Sequence, residues 1–334
     1  MMDPNAPFYK HRPIATVNAL GRTLRESVEH LQYLDKHVDD LYRGPIPQEK
    51  KDGGVRYTYD AFKPLKRVHD KIQTELLQQV QFPAYLMGGL EDPEGSRGYI
   101  RNAQNHAGAQ LLVGEDVEDF FPSVRIERVR SIFQYVFHFP EPVSSLLAKI
   151  CTRRGALVQG AIVSTYLANL ALYREEPELY RKFAAMGVLY TRFVDDMHAS
   201  SRRRLDVETR TMLVRMMRST LERAGLQPKR KKQFVVGAGS AMKVHRLNVA
   251  NVASKDISYR RKLRAVVHNL ESMASRNDFS DKFDALFRSA VSRASGIALL
   301  NPGDTHRFKL QLSLLAVQLR EHRRVVKTHA TLEP

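Results

Sequence analysis

Val188-Leu189-Tyr190-Thr191-Arg192-Phe193-Val194-Asp195-Asp196-Met197-His198-Ala199 decides how this chain is read. Apolar residues on both sides of Phe193-Val194-Asp195-Asp196 predict a strand, a tight turn and a second strand, with two carboxylates at the tip. Asp is a poor strand residue, and adjacent like charges repel. A divalent cation reverses that penalty, because hard oxygen ligands are what Mg²⁺ binds. Taken alone, the pair reads more cheaply as a polar hairpin turn, since Asp is a common turn former. Other parts of the chain have to supply what a metal site would need.

The bulk charge points outward to a partner. Lys and Arg number 53 against 36 acids, a formal net charge of +17 over 334 residues. An excess of that size suggests a polyanion partner. The basic residues gather late, at Arg202-Arg203-Arg204, Lys229-Arg230-Lys231-Lys232 and Arg260-Arg261-Lys262, and at Arg320, Arg323 and Arg324. One such cluster is usually a solvated face; several after one acidic pair suit a groove that tracks phosphates. The single cysteine, Cys151, excludes an internal disulfide and a cysteine-cluster zinc site. No apolar run reaches 18 residues, and the N-terminus lacks a signal-peptide core, so no membrane partner and a cytoplasmic location are expected.

Periodicity supplies the framework. Val17, Leu20, Leu24, Val28, Leu31, Leu34, Val38 and Leu41 recur in steps of three and four, predicting one amphipathic helix over 15–43, stopped by Gly44-Pro45. A turn over 50–54 leads to a strand over 55–59, then a helix over 64–80. Leu111-Leu112-Val113 predicts a buried strand running into Glu115-Asp116. Helices follow over 126–137 and on to 153, with a long helix through 166–170 and another over 205–224. Strands are expected over 234–236 and 244–249. From Ser258 the pattern is helical, interrupted near Asn301-Pro302.

If the strands bearing Asp116 and Asp195 are neighbours, Asp116, Asp195 and Asp196 converge. Converged carboxylates must bind cations or take up protons. Two Mg²⁺ ions roughly 3.5–4 Å apart are a general solution for phosphoryl transfer on nucleic acid. A polymerase and a nuclease both fit those residues, and Glu115, Glu118 and Asp119 leave the ligand register open.

The ordered motifs narrow this. Gly114 through Val124, with Asp116 followed by Phe120-Phe121-Pro122-Ser123, resembles motif A of bacterial reverse transcriptases. Gly155-Ala156-Leu157-Val158-Gln159-Gly160-Ala161, with Ser164 and Leu167-Ala168-Asn169-Leu170, resembles motif B. Phe193-Val194-Asp195-Asp196 resembles motif C, and Gly225-Leu226 with Lys232 resembles motif D. Asn102-Ala103-Gln104-Asn105-His106 is similar to an element that precedes motif A in retron-type enzymes. Arg246-Leu247-Asn248-Val249 and Tyr259-Arg260-Arg261-Lys262-Leu263-Arg264 are similar to the primer grip and the start of the thumb. The likeness spans roughly residues 45–305.

The resemblance implies an α+β right-hand polymerase: fingers, a palm of antiparallel sheet backed by helices, and a small helical thumb. Its divisions are a helical segment over 1–44, fingers over 45–110, palm with finger insertions over 111–257, and thumb with a short tail over 258–334. That leaves no room in the chain for a maturase, endonuclease or RNase H domain. The implied activity is RNA-directed DNA polymerisation. Asp116, Asp195 and Asp196 become the catalytic carboxylates and the ligands of two Mg²⁺ ions, with Mn²⁺ as the alternative. Arg56, Phe121, Gln159, Gly160 and Lys232 become the nucleotide-binding set, with Phe121 at the steric-gate position. Asn102, His106, Arg246, Arg260, Arg261 and Lys262 become nucleic-acid contacts, although a lone histidine such as His106 more often serves structure. The implied partners are a structured noncoding RNA template, deoxynucleoside triphosphates, the DNA product, an effector protein in antiphage defence, and a second copy of the chain.

Some positions depart from the pattern. Val158, Ile162 and Thr165 stand where motif B carries prolines, Lys229 replaces an Asn, and the Val-Thr-Gly element expected near Val244-His245-Arg246 is absent. The rival readings are an enzyme that makes DNA without a template and a noncatalytic RNA-binding module on a polymerase fold.

Overall fold

The computed structural model describes residues 3–49, 53–297, 300 and 302–330. The chain divides into two compact units, one formed by Met1–Asn102 with Ala109–Ser240, the other by Ala103–Gly108 with Ala241–Pro334. The architecture is α+β, with helices backing antiparallel sheets, as the sequence predicts.

The first unit is built on a four-stranded antiparallel sheet. Its order is Leu189–Phe193, Asp196–Ser201, Leu111–Asp116 and Phe234–Gly237. Leu111–Asp116 is buried along its whole length, which is what an uninterrupted apolar run seeks. The helices Val207–Arg223 and Glu176–Ala185 pack on the sheet through Leu213, Met217, Leu221, Leu179 and Phe183. Across the pleat, successive side chains leave opposite faces. Glu115 and Asp116 therefore point in opposite directions.

A second antiparallel pair joins Tyr42–Glu49 to Val55–Ala61. Here Gly44-Pro45 does not stop a helix. It lies inside the strand, where the register slips between Arg43 and Ile46. Proline lacks the N–H of a ladder donor, and an irregular register is where a strand can hold one. The turn predicted over 50–54 falls mostly on residues 50–52, outside the described residues.

Three other expectations are corrected, and one helix was not expected. The single helix over 15–43 is two, Val17–Leu24 and Val28–His37, because the Ser27 hydroxyl caps a new start by accepting from His30 N at 3.1 Å. The apolar spacing survives the break, so Leu20, Leu24, Leu31 and Leu34 all remain buried. The long helix through 166–170 is the short Ser164–Leu170, and Pro177 opens a separate helix, Glu176–Ala185. The strand over 244–249 is a hairpin, Lys243–Val244 with Leu247–Asn248, turned by His245 and Arg246 at φ +48° and +66°. The helix Tyr99–Asn105 has no counterpart in the sequence reading.

The second unit carries that hairpin, with Ser254–Lys255 as its third strand, and three helices, Ile257–Ser275, Asp281–Ser295 and Pro302–Ala330. Leu263, Val267, Leu270, Phe283, Phe308 and Leu312 form its own apolar core. Asn301, part of the predicted interruption, lies outside the described residues. Leu270 has no exposed surface. Leu270→Ala should therefore cost about 2–5 kcal/mol, read as a lowered urea midpoint of the transition that melts this unit.

Candidate active site

Register brings the carboxylates together. In the pairing of Leu111–Asp116 with Asp196–Ser201, Asp116 lies directly opposite Asp196. Phe193 pairs with Asp196, so Val194 and Asp195 form a two-residue turn, and Asp195 O accepts from Val117 N at 3.2 Å. Glu115 leaves from the other face, where Arg218 Nε donates to its Oε2 at 3.3 Å. Glu118 and Asp119 are exposed beyond the strand end. Of the four acids between 115 and 119, Asp116 is the one aimed at the hairpin tip.

The electrostatics are those of crowded acids. Burial raises the Asp196 carboxyl, and a hydrogen bond with Asp116 and the charge of Asp195 raise it further, from an ordinary 3.8 to about 7. One partner of that carboxyl–carboxylate bond must carry a proton. Asp195 is raised by burial and by Asp116, against the opposing charges of Lys232 and Arg56. Lys232 Nζ donates to Asp116 Oδ2 at 2.5 Å, and Lys229 N donates to the Asp116 carbonyl at 2.7 Å. Burial works against the Lys232 charge, and the Asp116 contact outweighs it.

Sequence reading missed what stands behind the hairpin. Arg192, wholly buried, donates from Nε and Nη2 to the two oxygens of buried Glu176 at 2.6 and 2.7 Å. Its Nη2 also reaches Asn169 O at 2.8 Å, and its Nη1 reaches Val194 O at 2.9 Å. Tyr190 OH donates to Glu176 Oε1 at 2.7 Å. A signal was available: an Arg inside a short apolar strand needs a buried acid, and Glu176 opens the preceding helix.

Of the nucleotide-binding candidates in this unit, Lys232 touches Asp116, Arg56 acts on Asp195 through its charge, and Gln159 and Gly160 lie against the strand that carries Arg56. Gln159 O accepts from Tyr59 N at 2.8 Å, which lays the 155–161 loop along the strand that carries Arg56. Gly160 has φ +106°, and a Cβ there would stand 2.5 Å from Tyr59 O, so only glycine fits. Phe121 is half-buried beside Phe120, five residues beyond Asp116. Asn102, in the same unit, is wholly buried. In the second unit His106 is buried as well, and desolvation, helped by His245, pushes its pKa down to about 3. Burial suits Asn102 and His106 to ordering the chain. Arg246, Arg261 and Lys262 are exposed, and Arg260 is half-exposed.

The donor set is chemically right for a divalent cation: hard carboxylate oxygens that need a proton between them in its place. As placed, no three metal-ligating side chains among the described residues could hold an ion together, and Lys232 holds Asp116. Binding would require Lys232 to release Asp116 and the three carboxyls to turn to one point. A raised carboxyl stabilises the fold below its unfolded pKa, and that stability is lost as pH rises through its folded pKa. In metal-depleted protein, the contribution of Asp196 should therefore decline between about pH 4 and 7. Asp196→Asn should flatten that part of a stability-against-pH curve measured by urea unfolding.

Residues 8–259 match the reverse transcriptase (RNA-dependent DNA polymerase) family. The chain is 29% identical to the retron Ec48 reverse transcriptase of Escherichia coli, over 88% of this chain and 74% of that one. It is 28% identical to the retron Ec86 reverse transcriptase of Escherichia coli, over 75% and 77%. It is also 29% identical to the retron Se72 reverse transcriptase of Salmonella heidelberg, over 64% and 55%. Apo telomerase from Candida tropicalis aligns at 10% identity, over 94% of this chain and 70% of that one, with a TM-score of 0.44. Reverse transcriptases depend on divalent metal as a family. With the match running through the carboxylate hairpin and across most of its length, the chain belongs to the reverse transcriptase family of RNA-dependent DNA polymerases and is of the bacterial retron type.

Proposed function

We propose that this RNA-directed DNA polymerase extends a primer at Asp116, Asp195 and Asp196, which hold two Mg²⁺ ions. Its template would be a structured noncoding RNA associated with the protein. The observation that carries the site assignment is the register that sets Asp116 opposite Asp196 with Asp195 in the adjoining turn. Divalent ions held there would supply the charge that lowers the pKa of an attacking 3′-hydroxyl and neutralises the leaving pyrophosphate. Asp116 supplies oxygen ligands from a strand end and Asp195 from the adjoining turn, and Asp196 supports them from the primer side. Lys232, once released from Asp116, is placed to give a proton to pyrophosphate. Arg56 would meet the triphosphate from the strand Val55–Ala61, and Gln159 and Gly160 would line the nascent base pair. The Phe121 ring closes the space that a ribose 2′-hydroxyl would need.

In the second unit, exposed Arg246, Arg261 and Lys262, with Arg260, suit phosphate contacts along the primer–template. His106, in the same unit, would support that nucleic-acid surface from within, and Asn102 would order the chain of the first unit. An antiphage role, an effector protein and self-association rest on the resemblance to retron enzymes. Among the described residues no helix is long and apolar enough to cross a membrane, and a cytoplasmic place belongs to the same proposal.

The test is incorporation of deoxynucleotides on a primed RNA, and on RNA that co-purifies with the protein. Asp195→Asn and Asp116→Asn should each lower the rate by more than about a hundredfold, since metal ligation carries several kcal/mol of the barrier. Full activity in either variant would refute the assignment. Phe121→Ala should relax discrimination against ribonucleotides by about tenfold or more, on the scale of a packing contact worth 1–3 kcal/mol. Unchanged discrimination, from the ratio of kcat/KM values, would return Phe121 to the core.

A further inference from the structure

Val194 has φ +58°, a conformation a β-branched side chain rarely adopts. Two-residue hairpin turns want such a residue, and glycine, asparagine or aspartate usually supply it. A strained residue persists only where its surroundings over-determine it. Around Val194 those surroundings can be named. Arg192 Nη1 holds the Val194 carbonyl at 2.9 Å. Arg192 is itself fixed by both Glu176 oxygens and by Asn169 O, and its own backbone pairs with Tyr85 O and Met87 N at 2.8 Å each. Asn169 Nδ2 binds Gly88 O at 2.9 Å, and a Cβ at Gly88 would lie 2.6 Å from the Phe193 ring. These contacts bear on the three hairpin residues before Asp195, and none uses the Asp116, Asp195 or Asp196 carboxylates.

We infer that Arg192 and Glu176 are positioning residues for the reaction: the buried pair holds the strained Val194 turn and thereby aims Asp195 at its metal. This rests on the reading of Asp195 as a ligand. A guanidinium suits the task, because its planar fork can serve a bidentate carboxylate and two carbonyls at once. Lysine keeps the charge opposite Glu176 and loses the fork, so the Val194 carbonyl is left without its donor. Glycine at 194 adopts positive φ at no steric cost and has no need of the clamp.

The experiment uses the full-length protein with its RNA and reads the Mg²⁺ concentration for half-maximal incorporation, with the KM for deoxynucleotide and a thermal melt alongside. Arg192→Lys should raise the Mg²⁺ requirement about tenfold to a hundredfold, the usual cost of losing a group that orients a metal ligand, with the nucleotide KM little changed. Val194→Gly added to Arg192→Lys should recover most of that loss without restoring the melting temperature. A purely structural pair predicts the opposite: the melt moves, and the Mg²⁺ requirement does not. An unchanged requirement in folded Arg192→Lys overturns the inference, as does an equal rise with Val194 and with Gly at that position. If Arg192→Lys does not fold, Glu176→Asp, which keeps the ion pair but shortens its reach, answers the same question with and without Val194→Gly. Asp195→Asn is assayed in parallel. Retained activity there refutes the ligand reading, and this inference falls with it; lost activity there with an unmoved requirement in Arg192→Lys refutes this inference alone.

Discussion

Repulsion among Asp116, Asp195 and Asp196 is the constraint on which the rest of this structure turns. Where the strand ends adjoin, burial and the charge of Asp116 raise the Asp195 carboxyl, and burial with Asp116 and Asp195 raises that of Asp196. Nothing in folding requires such a cluster, and a domain without a use for it would be more stable with neutral residues. The chain contains the cost with counter-charge: Lys232 on Asp116, and Arg56 acting on Asp195. In the proposed function the same arrangement has a use, since groups that share a proton would exchange it for a divalent cation.

The hairpin must also be kept in place. Four donors of Arg192 and Tyr190 meet two acceptors on Glu176 and two backbone carbonyls, all within the first unit's core. Breaking one side of such a buried pair costs roughly 3–5 kcal/mol, because the other charge is left without a partner. An apolar filling of equal volume could stabilise the fold as well. What it could not do is hold the Val194 carbonyl at a fixed point. That directional contact gives a physical reason for a buried ion pair in a place where packing alone would suffice.

Much of this was legible in the sequence, for reasons specific to certain residues. The carboxylate hairpin announced itself because acids at an apolar strand tip violate strand chemistry, and the buried strand to Asp116 because its apolar run is uninterrupted. What could not be read was register: only the pairing shows that Asp116 rather than Glu115 faces Asp196. Capping by Ser27 and the slip at Gly44-Pro45 defeated the helix expected over 15–43, since an apolar repeat does not report a change of direction. The turn at His245-Arg246 was hidden because neither residue is glycine, the usual bearer of positive φ. Arg192 was hidden by its context, one charge among 53 basic residues, most of which face solvent or nucleic acid in any reading.

The central claim is that these three carboxylates form a divalent metal site. A crystal of the protein with primed RNA, an unreactive deoxynucleotide analogue and Mn²⁺ tests it most directly through anomalous scattering. The account predicts anomalous peaks within ligand distance of Asp116 and Asp195 oxygens, with Lys232 withdrawn from Asp116. Bound analogue with no peak at these carboxylates, or with Mn²⁺ held by other residues, would contradict it.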